Sequence, residues 1–466
     1  MFYFMDKYKK LASNTFIFAL GTFSSKVLVF LMMPFYTRVM SSESYGIVDI
    51  IVQTCTLLIP LASIGINNGV IRFGLERKLN QKSVFTFGFL TIMVGFGIML
   101  LCRPLLLSIT VTSQYTDLMI FYVLMSCLQG LCSQFARARG YIRLYAIDGI
   151  FRTLMTILLN VIFLVGFQMG IVGYILSTIL TDALSTVFIF LIARLHRYFS
   201  LVSLKRSIAL GMLKYSIPLI PNTVCSWIIS ISDRYLITYL IGSSANGIYA
   251  IANKIPTILM IVANIFSEAW QISAVGEEGQ AARERFFSKV LNVYQSVAFL
   301  TAAILIATAK ITTFLLASPE FYEAWQYIPF LVLATTFSCL ASFLSSVYMV
   351  EKKSIHTLIT TFLSALLNIG LNILWIPKYG IFGAAFATFL SYLVMFFIRA
   401  IHTRKYIKIR WNFGKFLLNF ILVIIQSTLM MNEVLGWIFY EIFLALFVVI
   451  INMKPVMQSL RRILKF

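Results

Sequence analysis

The chain has 466 residues, 60% of them hydrophobic and 12% charged, with a mean hydropathy of +0.90 and a formal net charge of +21. Soluble domains are about half apolar and about a quarter charged, so the composition excludes a soluble globular protein and calls for a membrane protein. A surplus of base on this scale would also suit nucleic acid, but the placement of the charges assigns it elsewhere.

Apolar runs long enough to cross about 30 Å of hydrocarbon recur from end to end and leave no room for a sizeable soluble domain. The first, 14–38, follows Lys7, Lys9 and Lys10. It is too long for a signal-peptide core and lacks a small-residue cleavage site, so it reads as a permanent helix. Further spans are predicted at 46–69, 84–107, 117–136, 147–167, 171–193, 212–241, 246–270, 290–316, 327–350, 355–376, 381–400, 414–431 and 435–453, about fourteen in all. Six cysteines fall mostly inside these runs, where cysteine acts as a small hydrophobe rather than in a disulfide or metal site.

The connections alternate in charge. One set carries Arg72, Arg77, Lys78 and Lys82, then Arg137, Arg139 and Arg143, then Arg194, Arg197, Lys205 and Arg206. It continues through Arg283, Arg285, Lys289, Lys352, Lys353, Arg404, Lys405 and Lys408 to the basic tail. The other set has little base and carries Glu43, Glu320, Glu323 and Glu433. By the positive-inside rule the first set is cytoplasmic and so are both termini, which requires an even number of spans. The excess base then faces anionic lipid headgroups, and nucleic acid is not needed to explain it.

An internal repeat is visible. Ser41-Ser42-Glu43-Ser44-Tyr45-Gly46-Ile47, before the second span, is echoed by Gly242-Ser243-Ser244-Ala245-Asn246-Gly247-Ile248 about two hundred residues later. Leu158-Leu159-Asn160 with Gly170-Ile171-Val172-Gly173 is echoed by Leu366-Leu367-Asn368 with Gly380-Ile381-Phe382-Gly383. Two echoes at nearly one offset divide the chain into six-span lobes over 1–200 and 201–410, followed by a helix pair over 411–466. Six is even, so both lobes enter the membrane in one orientation. Their pseudo-twofold then runs along the membrane normal.

With this layout, the seventh span Tyr215-Ser216-Ile217-Pro218-Leu219-Ile220-Pro221-Asn222 followed by Ser232-Asp233-Arg234-Tyr235 resembles the polysaccharide flippases of the multidrug/oligosaccharidyl-lipid/polysaccharide exporter superfamily. Gly247-Ile248-Tyr249-Ala250 and Tyr379-Gly380-Ile381-Phe382-Gly383-Ala384-Ala385 carry the same resemblance. It covers essentially the whole chain. It implies an all-α, V-shaped pair of helical bundles in the bacterial cytoplasmic membrane. These would carry an undecaprenyl-pyrophosphate-linked oligosaccharide outward by alternating access, with no cofactor and alongside a polysaccharide polymerase and assembly proteins.

The residues supply their own candidates. Lys26, Arg234 and Lys254 lie at membrane depth, where a charge costs at least about 2.5–3.5 kcal/mol and normally faces a wet cavity or a partner. They are read as a basic lining for a pyrophosphate, which Arg grips bidentately and Lys as a point charge. The alternatives are snorkelling to an interface, or an ion pair centred on Asp233 and Arg234. Asn246, Asn253, Thr257, Asn264 and Glu268 share one helical face in the eighth span and suit a sugar, or else hydrogen bonds between helices. Asn222, with Thr223, Ser226 and Ser230, does the same in the seventh span. Asp49, Asp233 and Glu268 are the acids that could couple to an ion or serve structure. His196, His356 and His402 are read as solvated loop residues. Short external connections and the lack of a catalytic motif weigh against a polymerase or ligase. Membrane-depth charge read as mainly basic weighs against a drug/cation antiporter, while a peptidoglycan-precursor flippase shares the same charge logic.

Overall fold

The computed structural model describes residue 30 and residues 32–264, 280–351, 353, 355–433 and 436–463. The described residues are helical throughout and fall into two compact units, Met1–Val224 and Cys225–Phe466.

In the first unit the helices are α1 (Met33–Val39), α2 (Ser42–Ala62), α3 (Ile66–Gly74), α4 (Gln81–Leu101), α5 (Arg103–Leu107), α6 (Thr116–Ala138), α7 (Ile142–Asn160), α8 (Gly170–Ile192) and α9 (Arg206–Ser216). Sequence sets the helix starts: Ser41 accepts from the Ser44 amide at 3.2 Å to cap α2, and Asn80 accepts from the Lys82 amide at 3.1 Å to cap α4. A turn with Ile64 and Gly65 at positive φ separates α2 from α3. Gly95 of α4 runs so close beneath that turn that a Cβ there would lie 1.7 Å from the Ala62 carbonyl oxygen. Only glycine allows this approach. The core is built on α6, whose Val123, Cys127, Leu131 and Phe135 are buried against α2, α4 and α8. α4 also anchors the 195–205 connection: Thr86 Oγ1 donates to the Tyr198 carbonyl and accepts from the Ser200 amide, and Ser83 Oγ accepts from the Lys205 amide.

α10 (Ile220–Leu240) continues from α9 through a tight turn carrying Pro218 and bridges into the second unit. There follow α11 (Ser243–Ala252), α12 (Pro256–Asn264), α13 (Gln280–Ala307), α14 (Ala309–Leu316), α15 (Ile328–Val350), α16 (Ile355–His402), α17 (Phe413–Met431) and α18 (Trp437–Ile463). At the junction of α13, α15, α16 and α17, Phe337 meets Phe299, Phe396 and Phe416 edge to face, and Phe396 stacks on Phe416. α17 and α18 pack on α13 within this unit.

Nine helices among the described residues are long and apolar enough to span a membrane, ten if the bent pair α11–α12 is one span. The longest, Ile355–Lys405, holds two predicted spans joined at Gly380, which sits at φ +59° and ψ −141°. The apolar part of α18, Trp437–Met453, is shorter, and α10 is diluted by Asn222, Thr223, Ser226, Ser230, Ser232, Asp233 and Arg234. Every predicted span from the second onward therefore has its helix. The first lies largely outside the described residues.

Candidate functional site

In the second unit the predicted eighth span is not one helix. Pro256 has no N–H to donate, so the chain turns at 253–255 and α12 leaves at 43° to α11. Asn253 Nδ2 donates to the Tyr249 carbonyl at 2.9 Å and Thr257 Oγ1 to the Lys254 carbonyl at 2.5 Å. Each is a second donor to a carbonyl that also accepts a backbone amide, Asn253 N–H on Tyr249 and Thr257 N–H on Lys254. The single stripe expected from Asn246 to Asn264 is split: Asn246 is fully buried at the start of α11, and Asn264 is exposed at the end of α12. Asn264 lines a cavity of about 80 Å³ with Met260, Tyr294, Ser338, Cys339 and Ser342. Lys254 stands half-buried at the break itself, at mid-span. A broken helix at membrane depth normally borders water or protein, since lipid cannot satisfy the freed carbonyls.

Asp233 and Arg234 are both buried. Asp233 Oδ2 accepts from Tyr249 OH at 2.5 Å and Thr388 Oγ1 at 3.1 Å, and Oδ1 accepts from the Arg234 amide at 2.9 Å. Behind Thr388, Asn368 donates to its hydroxyl and accepts from Ser232 and Asn372. This network ties α10, α11 and the two halves of α16 together. Asn222 is half-buried at the start of α10, and Thr223, Ser226 and Ser230 lie exposed at i, i+3 and i+7 along it. A polar face left open at membrane depth suits a water-filled cleft. Asp49, at the outer end of α2 in the predicted topology, is buried and accepts from Gln53 Nε2 at 3.3 Å. Lys26 and Glu268 lie outside the described residues.

The first unit holds membrane-depth charges that the sequence reading passed over. Asp148 of α7 accepts from Ser185 Oγ at 2.5 Å and Gln129 Nε2 at 3.1 Å. Asp182, near the middle of α8, accepts from Ser126 Oγ and from Arg152 Nη2, each at 2.5 Å. Both acids are 2% exposed, whereas the Arg152 side chain is 40% exposed. The expectation that membrane-depth charge is mainly basic is thus corrected. The signal was available, because an ionisable residue inside a span is a site candidate by default. α7 begins at Ile142 rather than 147, which carries Asp148 and Arg152 deeper than the hydropathy boundary placed them.

The histidines also need correction. His356 and His402 are not separate loop residues, because their rings meet at 4.7 Å. Tyr348 OH lies 2.9 Å from His402 Nδ1 and Tyr406 OH lies 3.1 Å from His356 Nε2. Below them Arg399 is buried, donating to Thr360 Oγ1, Thr361 Oγ1 and the Ala341 carbonyl. Chemically, then, Asp148, Asp182 and Asp233 are turned inward and hydrogen-bonded, while Arg152 and Lys254 keep part of their surface open. Among the described residues no three His, Cys, Asp or Glu side chains are grouped to hold a metal ion.

Solved structures with this fold include a lipid II flippase, MurJ, in an inward closed conformation (TM-score 0.72, 15% identity, 96% of this chain and 99% of that one). A multidrug resistance transporter of the MATE family, in the MOP superfamily, aligns inward-facing with a TM-score of 0.69 and 14% identity over 82% of this chain and 95% of its own. A MOP superfamily transporter from Pyrococcus furiosus, described as having a binding pocket of reversed polarity, aligns at TM-score 0.60 and 14% identity over 84% and 94%. At these identities the likeness is one of fold, so the all-α MOP architecture expected from the sequence is the architecture found. No curated protein matches the chain by sequence. A family model described as polysaccharide biosynthesis protein matches residues 11–270, more than half of the chain, and the protein belongs to that family.

Proposed function

We propose that this protein is a flippase that moves an undecaprenyl-pyrophosphate-linked oligosaccharide from the cytoplasmic to the outer leaflet by alternating access. The observation that carries the reading is the asymmetry of charge at membrane depth. Asp148, Asp182 and Asp233 are almost wholly buried and hydrogen-bonded, while the basic Arg152 and Lys254 remain partly open. An open cation at membrane depth attracts an anion, and the oxygens of a pyrophosphate accept from a guanidinium or from an ammonium. Lys26 and Arg234 complete the proposed basic lining. Asn222, Asn253, Thr257 and Asn264, with the exposed hydroxyls of α10, would meet the sugar. Asp49 and Glu268 are proposed as coupling or structural acids.

The proposed topology places both termini in the cytoplasm of a bacterial cell. An inside-negative potential then assists outward movement of an anion by about 2.3 kcal/mol per charge per 100 mV. A second reading, a drug/cation antiporter, is favoured by Asp148 and Asp182, since a cation carrier needs membrane-depth carboxylates. Removing the gene separates the two. The flippase reading expects one lipid-linked glycan to accumulate on the cytoplasmic leaflet and clear when the wild-type protein is restored. Unchanged lipid-linked glycans with heightened sensitivity to cationic drugs would replace it with the antiporter. Accumulation of the peptidoglycan precursor would keep the transport reaction and change its cargo.

A further inference from the structure

The helix pair α17–α18 contains an acid that none of the chemistry above uses. Glu441 lies about one turn into α18, 2% exposed, on the same face as Val448 and Asn452, the face that packs on α13 and α17. Neither of its carboxyl oxygens has a hydrogen-bond partner. Its polar neighbours are Gln426 of α17 and Lys310 of α14. Gln426 is fully buried, its Nε2 donates to the Ala303 carbonyl at 3.0 Å, and its Oε1 is left without a donor. Three acceptor oxygens therefore stand unsatisfied at one buried place.

The surrounding charges do not supply what is missing. Lys310 is committed: its ammonium pairs with Glu433 and is sandwiched between the faces of Trp325 at 3.9 Å and Trp437 at 4.1 Å. α13 carries no titratable side chain from Gln295 to Ala307, and α17 none from Phe416 to Met431. α18 itself adds only the exposed Tyr440 near Glu441. On the 319–326 turn beside α14, Glu320 and Glu323 add no cation, and Glu323 accepts from Tyr327 OH at 2.6 Å. One ammonium thus stands near two carboxyl groups, and Glu433, 60% exposed, takes it.

We propose that Glu441 is a proton-binding site of the C-terminal helix pair. It is protonated in the arrangement seen here, with its O–H donated to Gln426 Oε1. A single proton removes a buried charge and satisfies an orphan acceptor together, and either defect alone would be costly. A hard metal ion would need about six oxygens, twice what is gathered. The proton comes from bulk water at the surface that carries the exposed Glu433, by way of Glu433 and Lys310. Its loss leaves two carboxylates sharing one ammonium and loosens the packing of α18 on α13.

The test reads protonation directly and does not depend on the cargo. Infrared difference spectra of the full-length protein in lipid nanodiscs should show, at neutral pH, a protonated-carboxyl C=O band that shifts in D2O. Glu441→Gln should abolish that band, and Gln426→Leu should move it to higher frequency because the acceptor is gone. No such band in the wild type, or one that survives Glu441→Gln, would overturn the proposal, as would an unchanged frequency in Gln426→Leu. Should Glu441→Gln fail to fold, the Gln426→Leu shift decides alone.

Discussion

The two units begin from the same plan and handle a buried acid differently. Gly170 and Gly380, in the echoed turns, both sit at positive φ, +54° and +59°, and the echoed Asn160 and Asn368 are both buried. Asp182 in the first unit is held by a guanidinium and one hydroxyl, whereas Asp233 in the second is held by two hydroxyls and a backbone amide. A charge pair concentrates the interaction in one partner, and removing that partner leaves an uncompensated charge. A hydrogen-bond cluster spreads it, so each member matters less. The first arrangement also leaves Arg152 half in the open, where it can meet an anion. The second ties four helical segments together.

The largest effect should come from breaking the pair. Asp182→Ala is expected to cost about 3 kcal/mol, the lower end for a broken buried pair because Arg152 is partly solvated. The loss should appear as a lowered thermal midpoint in detergent. Asp182→Leu with Arg152→Met should recover most of it, since apolar replacement of both partners is often neutral. A double variant as unstable as Asp182→Ala would mean that the pair does not act as a unit. The cluster should be more tolerant. Tyr249→Phe removes one of three donors to Asp233 and is expected to cost about 0.6–1.7 kcal/mol, the range for hydrogen bonds between membrane helices. A cost equal to that of Asp182→Ala would erase the contrast between the two units.

Much of this architecture was legible in the sequence, and the places where it was not have physical causes. Hydropathy located the helices because the bilayer imposes one length and one polarity on every span. The echoed Gly170 and Gly380 were legible because both sit at positive φ, a backbone demand that few other residues meet. The division of α11 from α12 was missed because helical periodicity was carried through Pro256, which ends the ladder and turns Asn253 and Thr257 back onto the backbone. Asp148 and Arg152 were missed because the polar start of α7, Ile142 to Tyr145, lowers the local hydropathy and shifts the apparent boundary. The His356–His402 contact joins residues 46 apart in sequence, and nothing local announces such a pairing.

The smallest effect on stability, and the most telling for function, is expected at Lys254. Its side chain is half-buried at the break between α11 and α12, and its backbone carbonyl, not its ammonium, is what Thr257 engages. Lys254→Gln keeps the length and the backbone contacts, so it should change stability by no more than about 0.5 kcal/mol, as at sites outside packed or paired positions. If the ammonium grips a phosphate, the same change should sharply lower export of the lipid-linked glycan at normal protein levels. Lys254→Arg should retain export, because a guanidinium also binds phosphate. Export that survives Lys254→Gln would remove this lysine from the proposed lining and leave Arg152 as the open cation at mid-span in the described residues. The contrast also separates charge from shape. Failure of both variants together would point to the geometry of the helix break, whereas failure of Lys254→Gln alone points to the charge.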